Sequence, residues 1–326
     1  EQEYVEEDSL AKSISFLNAK KAVLIGFGIF LLFFIWQYNV QPLKANAKIN
    51  WAKYYLENDD SCKRAYNTIS PHLNYGSYIN TYVKQTYVNT LTKCAAETND
   101  SNEKSKIIEE GIKNAKEILA KRPYYTRAWV YLGVFESFML EKNPESMALK
   151  EEIDSAFERA SELSPKRTII LFEWAKAYLV VDECQNSLNL ANECISKNPN
   201  AGECWWLRGL SNLCLQNEKL AGEEMQKAET IGFKIFEDEP VKQGIKVYVR
   251  LINKYGGKTS YYRGLAELYD RLSQAHPDDF QYHASLAYVY RALGEYAKAR
   301  KEANYVLRLS PESEQSVREF LKTLPY

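Results

Sequence analysis

The sequence predicts an all-α protein with one transmembrane helix near its start, followed by a right-handed α-solenoid of helical hairpins. Three observations support this prediction. Residues 22–36 carry no polar side chain, and prolines recur at a fixed interval in the rest of the chain. The 326 residues include only 14 Gly and 10 Pro, but 24 Tyr and 6 Trp. Few chain breakers and many aromatic residues favour long packed helices over a turn-rich β protein.

The apolar run is the predicted membrane span, with bounds at residues 22–40. Two lysines precede it, and Trp36 and Tyr38 lie at its far end. A helix over this stretch rises about 30 Å, which matches the bilayer core, and Trp and Tyr are typical of the lipid–water interface. One alternative is a buried core helix. A second is a signal peptide, although the small-residue motif at residues 45–47 lies far beyond the apolar run for a cleavage site.

The flanking lysines do not decide the orientation of this span, because three lie on each side. They are Lys12, Lys20 and Lys21 before the span, and Lys44, Lys48 and Lys53 after it.

The array begins at residue 43 and is predicted from its prolines. The interval from Pro165 to Pro199 recurs from Pro277 to Pro311, and it equals the tetratricopeptide repeat period of about 34 residues. In this repeat, small residues let two antiparallel helices approach, and a proline ends the second helix. The residues before Pro311 that fit the small and large positions of the motif are Leu286, Ala287, Tyr290, Gly294, Tyr296, Ala299, Ala303 and Val306.

The array is predicted to occupy residues 43–326. The clearest repeats are 124–165, which carries an insertion, 166–199, 200–233 and 278–311. Weaker patterns predict helices at 44–57 and 61–72, at 78–96 and 104–121, and at 239–255 and 260–276. A capping helix is expected at 313–324, because the end of a solenoid needs a polar outer face.

The six cysteines fit the repeat geometry better than a zinc site, which favours cysteines two to four residues apart. Contacting residues of two antiparallel helices have positions with a constant sum. Positions 184 and 214 add to 398, as do 194 and 204. We therefore predict disulfides Cys184–Cys214 and Cys194–Cys204, and Cys62–Cys94 by a similar relation. The alternative is six buried thiols, since Cys packs well as a small apolar residue.

The cysteines also give a prediction for localisation. Disulfides persist in oxidising compartments, so the repeat array is expected outside the cytoplasm and residues 1–21 inside it. The predicted location is the cell membrane, with a single span in this chain and lipid contacts through residues 22–40.

Charge and histidine content exclude several classes of function. Charged residues make up 26% of the chain and nearly cancel at net −1, so no basic field indicates nucleic acid. His72, His276 and His283 include no pair at helical metal-binding spacing. No nucleophile motif or phosphate-binding glycine loop is present. We expect no catalytic site, no metal and no cofactor in this chain.

A binding groove is the remaining prediction, since the first helices of such repeats line the concave face. Groove-facing positions of the motif hold Arg127, Lys176, Trp206, Tyr288 and Arg291. Arginine with aromatic residues suits peptides, and also sugars, whose rings stack on aromatic faces. The alternative for Trp206 and Tyr288 is that they pack between repeats. The expected partner is a protein or a polysaccharide.

The order of features resembles the C-terminal part of bacterial O-antigen ligase/polymerase family membrane proteins. The resemblance rests on the spacing N-x-x-P-x-x-A at the end of the apolar helix, followed by a repeat domain. Its residues are the segment Trp36–Ala45, then Asp60–Tyr66, then Asn74-Tyr75-Gly76. It implies a role in surface-polysaccharide assembly, with the family's catalytic residues in an upstream core. The chain begins at Glu1 rather than Met, which predicts a processed chain or a part of a longer one.

Three functional readings follow. In the first, the chain is the membrane-anchored, extracytoplasmic repeat domain of a polysaccharide polymerase or ligase, and any glycosyltransferase-type activity lies upstream. In the second, it is a stand-alone scaffold with one span that organises an envelope complex. In the third, it is an enzyme that acts through an unrecognised site.

Overall fold

The computed structural model describes residues 20–58, 61–74, 79–98, 100–234 and 238–325. Within these ranges all regular secondary structure is helical, and the predicted all-α class of tetratricopeptide-type hairpins is confirmed. Residues 1–19, which hold most of the predicted cytoplasmic segment, lie outside the described ranges. So do Asp60 and Tyr75-Gly76 of the motif quoted above. The chain divides into two compact units, residues 1–139 and 140–326.

The first unit begins with a long helix. Residues 20–35 form α1, a π-helical turn covers Trp36–Val40, and α2 is Gln41–Glu57. Together they are the one described helix long and apolar enough to cross a membrane. None of its most apolar window is buried, which argues against the core-helix alternative. Length and composition do not distinguish a span from a signal sequence.

The helix continues through Pro42, where the sequence patterns predict two separate helices. Proline cannot donate the backbone hydrogen bond that an α-helix needs at this position. In the π turn, the backbone hydrogen bond reaches back five residues instead of four, so that the N–H of Gln41 bonds to the carbonyl of Trp36. Pro42 then lies in the first turn of α2, where its missing N–H is tolerated.

Further helices follow α2 in the described part of the first unit. They are α3 (Cys62–Ile69, extended by a 3₁₀ turn Ser70–His72), α4 (Asn80–Glu97), α5 (Ser101–Lys121) and α6 (Thr126–Leu140), which ends at the unit boundary. Helix α2 packs on α3, α3 on α4, and α4 on α5. Asp100 caps α5 by accepting from the N–H groups of Asn102 and Glu103 at 2.8 and 3.0 Å. This cap holds the start of α5 after the polar loop.

The second unit contains the hairpins with the clearest repeat signature. Its helices are α7 (Met147–Leu163), α8 (Thr168–Val180), α9 (Cys184–Lys197), α10 (Gly202–Cys214), α11 (Glu218–Thr230), α12 (Asp238–Tyr255), α13 (Thr259–Ala275), α14 (Phe280–Ala292), α15 (Tyr296–Leu309) and α16 (Glu314–Lys322). A 3₁₀ turn, Pro311–Ser313, precedes α16. Helices α8 and α9, α10 and α11, and α14 and α15 pair as antiparallel hairpins, and α16 packs on α15.

Helix α12 packs on α10, two helices earlier in the chain, as well as on its own partner α13. Gly244 permits this approach, because a Cβ there would lie 2.7 Å from Leu268 and 3.5 Å from the ring of Trp206. The buried side chains of this contact include Val241, Val247, Leu251, Tyr261 and Leu268. The divergent hairpin α12–α13 is therefore part of the central core of the second unit.

Candidate functional site

The structure joins the six cysteines in the three pairs expected from the sequence. Cα–Cα distances are 5.4 Å for Cys62–Cys94, 5.8 Å for Cys184–Cys214 and 5.8 Å for Cys194–Cys204. The last two pairs bridge α9 and α10 near opposite ends of both helices. Between them, the buried hydroxyls of Ser187 and Ser211 lie 2.8 Å apart. Positions 187 and 211 also add to 398, so the two serines obey the same antiparallel relation as the cysteines.

The prediction that Trp206 lines a groove is wrong. Its side chain is 2% exposed, and its ring lies 6.3 Å from that of Phe233. Helix α12 covers it at Gly244. The motif position is the expected one, but α12 crosses α10 there and takes the space that a ligand would need.

Lys176, on α8, is half-buried and held by carboxylates. Its Nζ lies 3.1 Å from Glu173 and 3.6 Å from Glu239 of α12, and 5.3 Å from the ring centre of Phe172. Burial opposes the charged form, but the two carboxylates outweigh it and raise the pKa of Lys176. Its ammonium group therefore serves contacts between helices in this structure.

Tyr288 and Arg291 are brought together on α14, against the last helix α16. Tyr288 is 54% exposed and meets the ring of Phe320 edge-on at 4.9 Å. The guanidinium of Arg291 lies over both rings, at 5.2 and 5.1 Å, and donates to Thr323 at 3.1 Å. Arg127 is exposed on α6, and its role as a binding residue stays a prediction.

An aromatic cluster lies on α2, the helix that follows the apolar segment. Trp51, Tyr54 and Tyr55 share one face of the helix, because residues three and four apart are neighbours. Their ring centres are 5.8 to 6.0 Å apart. Trp51 is 53% and Tyr54 47% exposed, and the guanidinium of Arg64 stacks over Tyr55 at 4.4 Å. We refer to these four residues as the α2 aromatic cluster.

A cleft of about 430 Å³ lies in the second unit, and we call it the turn cleft. Its residues come from the α8–α9 turn, the α10–α11 turn and the end of α12. The disulfide Cys184–Cys214 forms part of its wall, and the polar side chains around it include Gln185, Asn186, Gln216 and Tyr255.

The cations of the turn cleft are paired within the protein. Asp182 accepts from Arg250 at 3.2 Å and from Lys254 at 3.3 Å. Arg250 also donates to the carbonyls of Leu179 and, at 2.8 Å, of Val180, so it satisfies the open C-terminal carbonyls of α8. Burial lowers the pKa of the Arg250 guanidinium, although Asp182 opposes the shift.

The second carboxylate of the cleft is paired as well. Glu183 lies 2.7 Å from Lys150 and accepts from Asn186 at 2.8 Å. The hydrogen bond from Lys150 is the main reason that the pKa of Glu183 is lowered; burial opposes the shift and Asn186 adds to it.

One group in this cleft has the spacing of a metal site. Ligand atoms of Asp182, Cys184 and Cys214 lie within 4.8 Å of one another. The metal-binding form of cysteine is the thiolate, and both sulfurs are bonded to each other instead. With Asp182 already held by two cations, the group does not suit a metal ion.

The turn cleft also holds unusual backbone. Among the described residues, the non-glycine residues with positive φ are Asp182 at 60° and Gln216 at 65°, and both line this cleft. Their positions differ by one repeat period, so they occupy the same place in successive repeats. The spacing of Asp182 and Gln216 is visible in the sequence and indicates two equivalent turns. The contribution of α12 to the cleft has no comparable signal in the sequence.

Comparisons with solved structures find partial similarity at low sequence identity. A MamA structure has 13% identity and a TM-score of 0.39, and covers 59% of this chain and 95% of its own. YrrB, described as a tetratricopeptide repeat protein with an unusual peptide-binding site, has 12% identity and a TM-score of 0.36, covering 63% and 96%. PilF of Pseudomonas aeruginosa has 12% identity and a TM-score of 0.42, covering 72% and 98%. These values are too low to carry a function from those proteins to this one.

No protein-family model matches the chain. No curated protein matches it either.

Proposed function

We propose that this chain is a membrane-anchored, extracytoplasmic repeat domain that binds a protein partner next to the membrane. The observation that carries the proposal is the α2 aromatic cluster. Trp, Tyr and Arg are the residues most enriched at the energetic centres of protein interfaces. Here Trp51 and Tyr54 are about half exposed, and Arg64 is stacked on Tyr55.

The position of the cluster supports a partner in or near the membrane. Trp36, at the end of the apolar segment, and Trp51 belong to one unbroken helix. At about 1.5 Å per residue, the cluster lies roughly 22 Å further along the helix axis than Trp36. It is therefore within reach of the extramembrane part of a neighbouring membrane protein.

The side of the membrane is supported by the cysteines. All six are paired, and paired cysteines are typical of proteins outside the reducing cytoplasm. The resemblance of the Trp36–Ala45 segment to O-antigen ligase/polymerase proteins supports a role in surface-polysaccharide assembly, with this domain as the accessory C-terminal part. The alternative is a stand-alone scaffold that uses the same cluster in an envelope complex without glycan chemistry.

Photo-crosslinking in the native cell tests the partner. We expect a benzoyl-phenylalanine placed at Trp51 or Tyr54 to form a discrete protein adduct. Lys53 is the matched control, because it is exposed on α2 and points about 200° away from Trp51. Equal adducts from Lys53, or none from either cluster position, would contradict the proposal.

Surface-polysaccharide profiles separate the two functions. If the glycan role holds, the double variant Trp51→Ala/Tyr54→Ala changes polysaccharide chain length or amount on gels of cell extracts. An unchanged profile, together with loss of the adduct from benzoyl-phenylalanine placed at Tyr55 of the same variant, would favour the scaffold. The compartment is checked independently with a cysteine engineered into the repeat array. A membrane-impermeant maleimide should label it in cells whose outer barrier is opened while the cell membrane stays closed.

A further inference from the structure

We propose that the turn cleft binds a neutral, polyhydroxylated ligand, in chemical terms a sugar ring. The inference goes beyond the partner-binding function and does not depend on it, since it concerns a different surface in the second unit. It rests on the size of the cleft, on the pairing of its charges, on the polar groups left over, and on the backbone of two lining residues.

The cleft has the size and the construction of a small-ligand site. Its volume of about 430 Å³ lies within the range of roughly 300–1,000 Å³ that is usual for such sites. Helix ends and a disulfide build it, so its walls are held by fixed elements. Asp182, Gln216 and Tyr255 come from three different hairpins, which lets polar groups converge on one ligand from several directions.

The charge pattern argues against an ionic ligand. Two cations, Arg250 and Lys254, and two carboxylates, Asp182 and Glu183, line the cleft. Arg250 and Lys254 are both engaged by Asp182, and Glu183 is engaged by Lys150. An anion such as phosphate would meet carboxylates without an uncommitted cation, and a cation would compete with pairs already formed.

The groups that remain are amides and one aromatic face. Gln216 accepts from Lys258 through its oxygen at 3.3 Å, which leaves its NH₂ group to donate. Asn186 donates to Glu183, which leaves its amide oxygen to accept. A sugar hydroxyl both donates and accepts, and an amide side chain matches both roles. Tyr255 is 45% exposed at the cleft edge. The Nζ of Lys254 lies 5.4 Å from its ring centre, and the exposed part of the ring is an apolar surface with a polar tip.

The backbone of the two turns gives an independent argument. Left-handed φ values are the ordinary conformation of glycine; Asn and Asp adopt them at a small energetic cost, and residues such as Gln at a larger one. The comparable turns after α12 and α14 use Gly256 and Gly294, with φ of 84° and 75°. At the turn cleft the chain instead places side chains, Asp182 and Gln216, in this conformation. Strained backbone of this kind concentrates at binding and active sites.

Saturation-transfer NMR on the full chain tests the proposal. The protein is held in a phosphocholine detergent, because maltoside detergents carry sugars of their own. The probes are the methyl glycosides of glucose, galactose, mannose and N-acetylglucosamine, with methyl glucuronide as an anionic probe and trialanine as a peptide probe. We expect transfer to the ring protons of at least one neutral glycoside, and weaker transfer to methyl glucuronide.

Three variants locate the binding. Tyr255→Ala should weaken affinity roughly 2- to 10-fold, the usual effect of losing one aromatic contact. Gln216→Gly should also weaken it while the thermal midpoint stays at or above that of the wild type, since glycine suits the left-handed φ. This variant therefore separates lost binding from lost folding. Tyr296→Ala, at an exposed tyrosine of the α14–α15 hairpin, is the matched control and should leave glycoside binding unchanged.

Several outcomes would overturn the inference. They are no transfer to any neutral glycoside, transfer that is equal in wild type, Tyr255→Ala and Gln216→Gly, or tighter binding of methyl glucuronide than of every neutral glycoside. Transfer to trialanine that depends on Tyr255, without any glycoside binding, would make the cleft a peptide site. None of these results bears on the proposal for the α2 aromatic cluster, because partner binding there is tested separately by crosslinking.

Discussion

Lys176 of α8 forms an ion pair with Glu239 of α12, with 3.6 Å between Nζ and the carboxylate oxygen. The pair fastens α12 to a helix two hairpins earlier in the sequence of elements, beside the place where α12 covers Trp206. A residue expected to face a ligand is thus used to hold the protein's own helix.

This ion pair should make the second unit less stable in acid. Burial disfavours the Glu239 carboxylate, but Lys176, the hydrogen bond from Gln243 and the charge of Lys246 together outweigh it, and the folded pKa lies below the ordinary value of 4.5. A depressed carboxyl pKa stabilises the fold above the unfolded value, and this contribution is lost as pH falls through the folded one. We expect Glu239→Gln to cost roughly 0.2–1 kcal/mol at pH 7, the range for exposed ion pairs, and to cost less below pH 4.5.

Thermal midpoints measured between pH 7 and pH 3 check this. Glu223→Gln, at an exposed glutamate of α11, is the control and should leave the midpoint unchanged at pH 7. A constant gap between wild type and Glu239→Gln across this range would count against the assignment.

Removing either disulfide between α9 and α10 should destabilise the second unit. Cys184 and Cys214 close a separation of 30 residues, and Cys194 and Cys204 one of 10. The chain-entropy model gives about 3 kcal/mol for loops of this size. We expect each pair of Cys→Ala changes to lower the free energy of unfolding by about this amount in urea titrations. Non-reducing peptide mapping that found all six cysteines alkylated would refute the pairing itself.

Two glycines should respond in opposite ways to alanine. A Cβ on Gly209 of α10 would lie 2.8 Å from Met225 and 3.1 Å from the carbonyl of Ala221, whereas one on Gly222 of α11 meets nothing within 4 Å. Gly222→Ala should stabilise by about 1 kcal/mol through helix propensity. Gly209→Ala should destabilise by about 1–3 kcal/mol through overpacking. Urea unfolding of both variants measures the contrast, and equal effects would argue against the close α10–α11 packing.

Two tryptophans give a similar contrast between core and surface. Trp206→Ala should cost about 3–5 kcal/mol, since it empties a fully packed site. Trp51→Ala should change stability by no more than about 0.5 kcal/mol, because the ring is half exposed, although it should abolish the adduct from benzoyl-phenylalanine at Tyr54. Chemical unfolding and crosslinking of the same two proteins separate the roles. A stable Trp206→Ala protein would contradict the packing of α12 over α10.

The repeat pattern predicted the hairpins well because it is local. The prolines that end each second helix and the small residues between the helices act within one repeat, so a fixed spacing carries their positions. The cysteine pairs were predictable for the same reason: Cys184 and Cys214 lie on adjacent antiparallel helices, where sequence position fixes contact.

What the sequence did not show depends on contacts between distant repeats. Trp206 is buried because α12 packs over it. The repeat motif does not predict where α12 packs after α11. The turn cleft depends on Arg250 reaching the carbonyl of Val180 at the end of α8, far away in the sequence. The sequence patterns do not predict the continuity of the first helix, because Pro42 normally indicates a break and a π turn compensates for it.

The unbroken first helix has a consequence for geometry about its own axis. Each residue of an α-helix advances about 1.5 Å and turns by about 100°. With no joint between Trp36 and Trp51, the azimuth at which the aromatic rings face a neighbour is locked to the azimuth of the apolar segment. Deleting one residue between them would hardly change the height of the rings, but would swing them about a quarter of a circle away. The direction in which the rings face about the helix axis, more than their distance along it, then decides which neighbour they can contact.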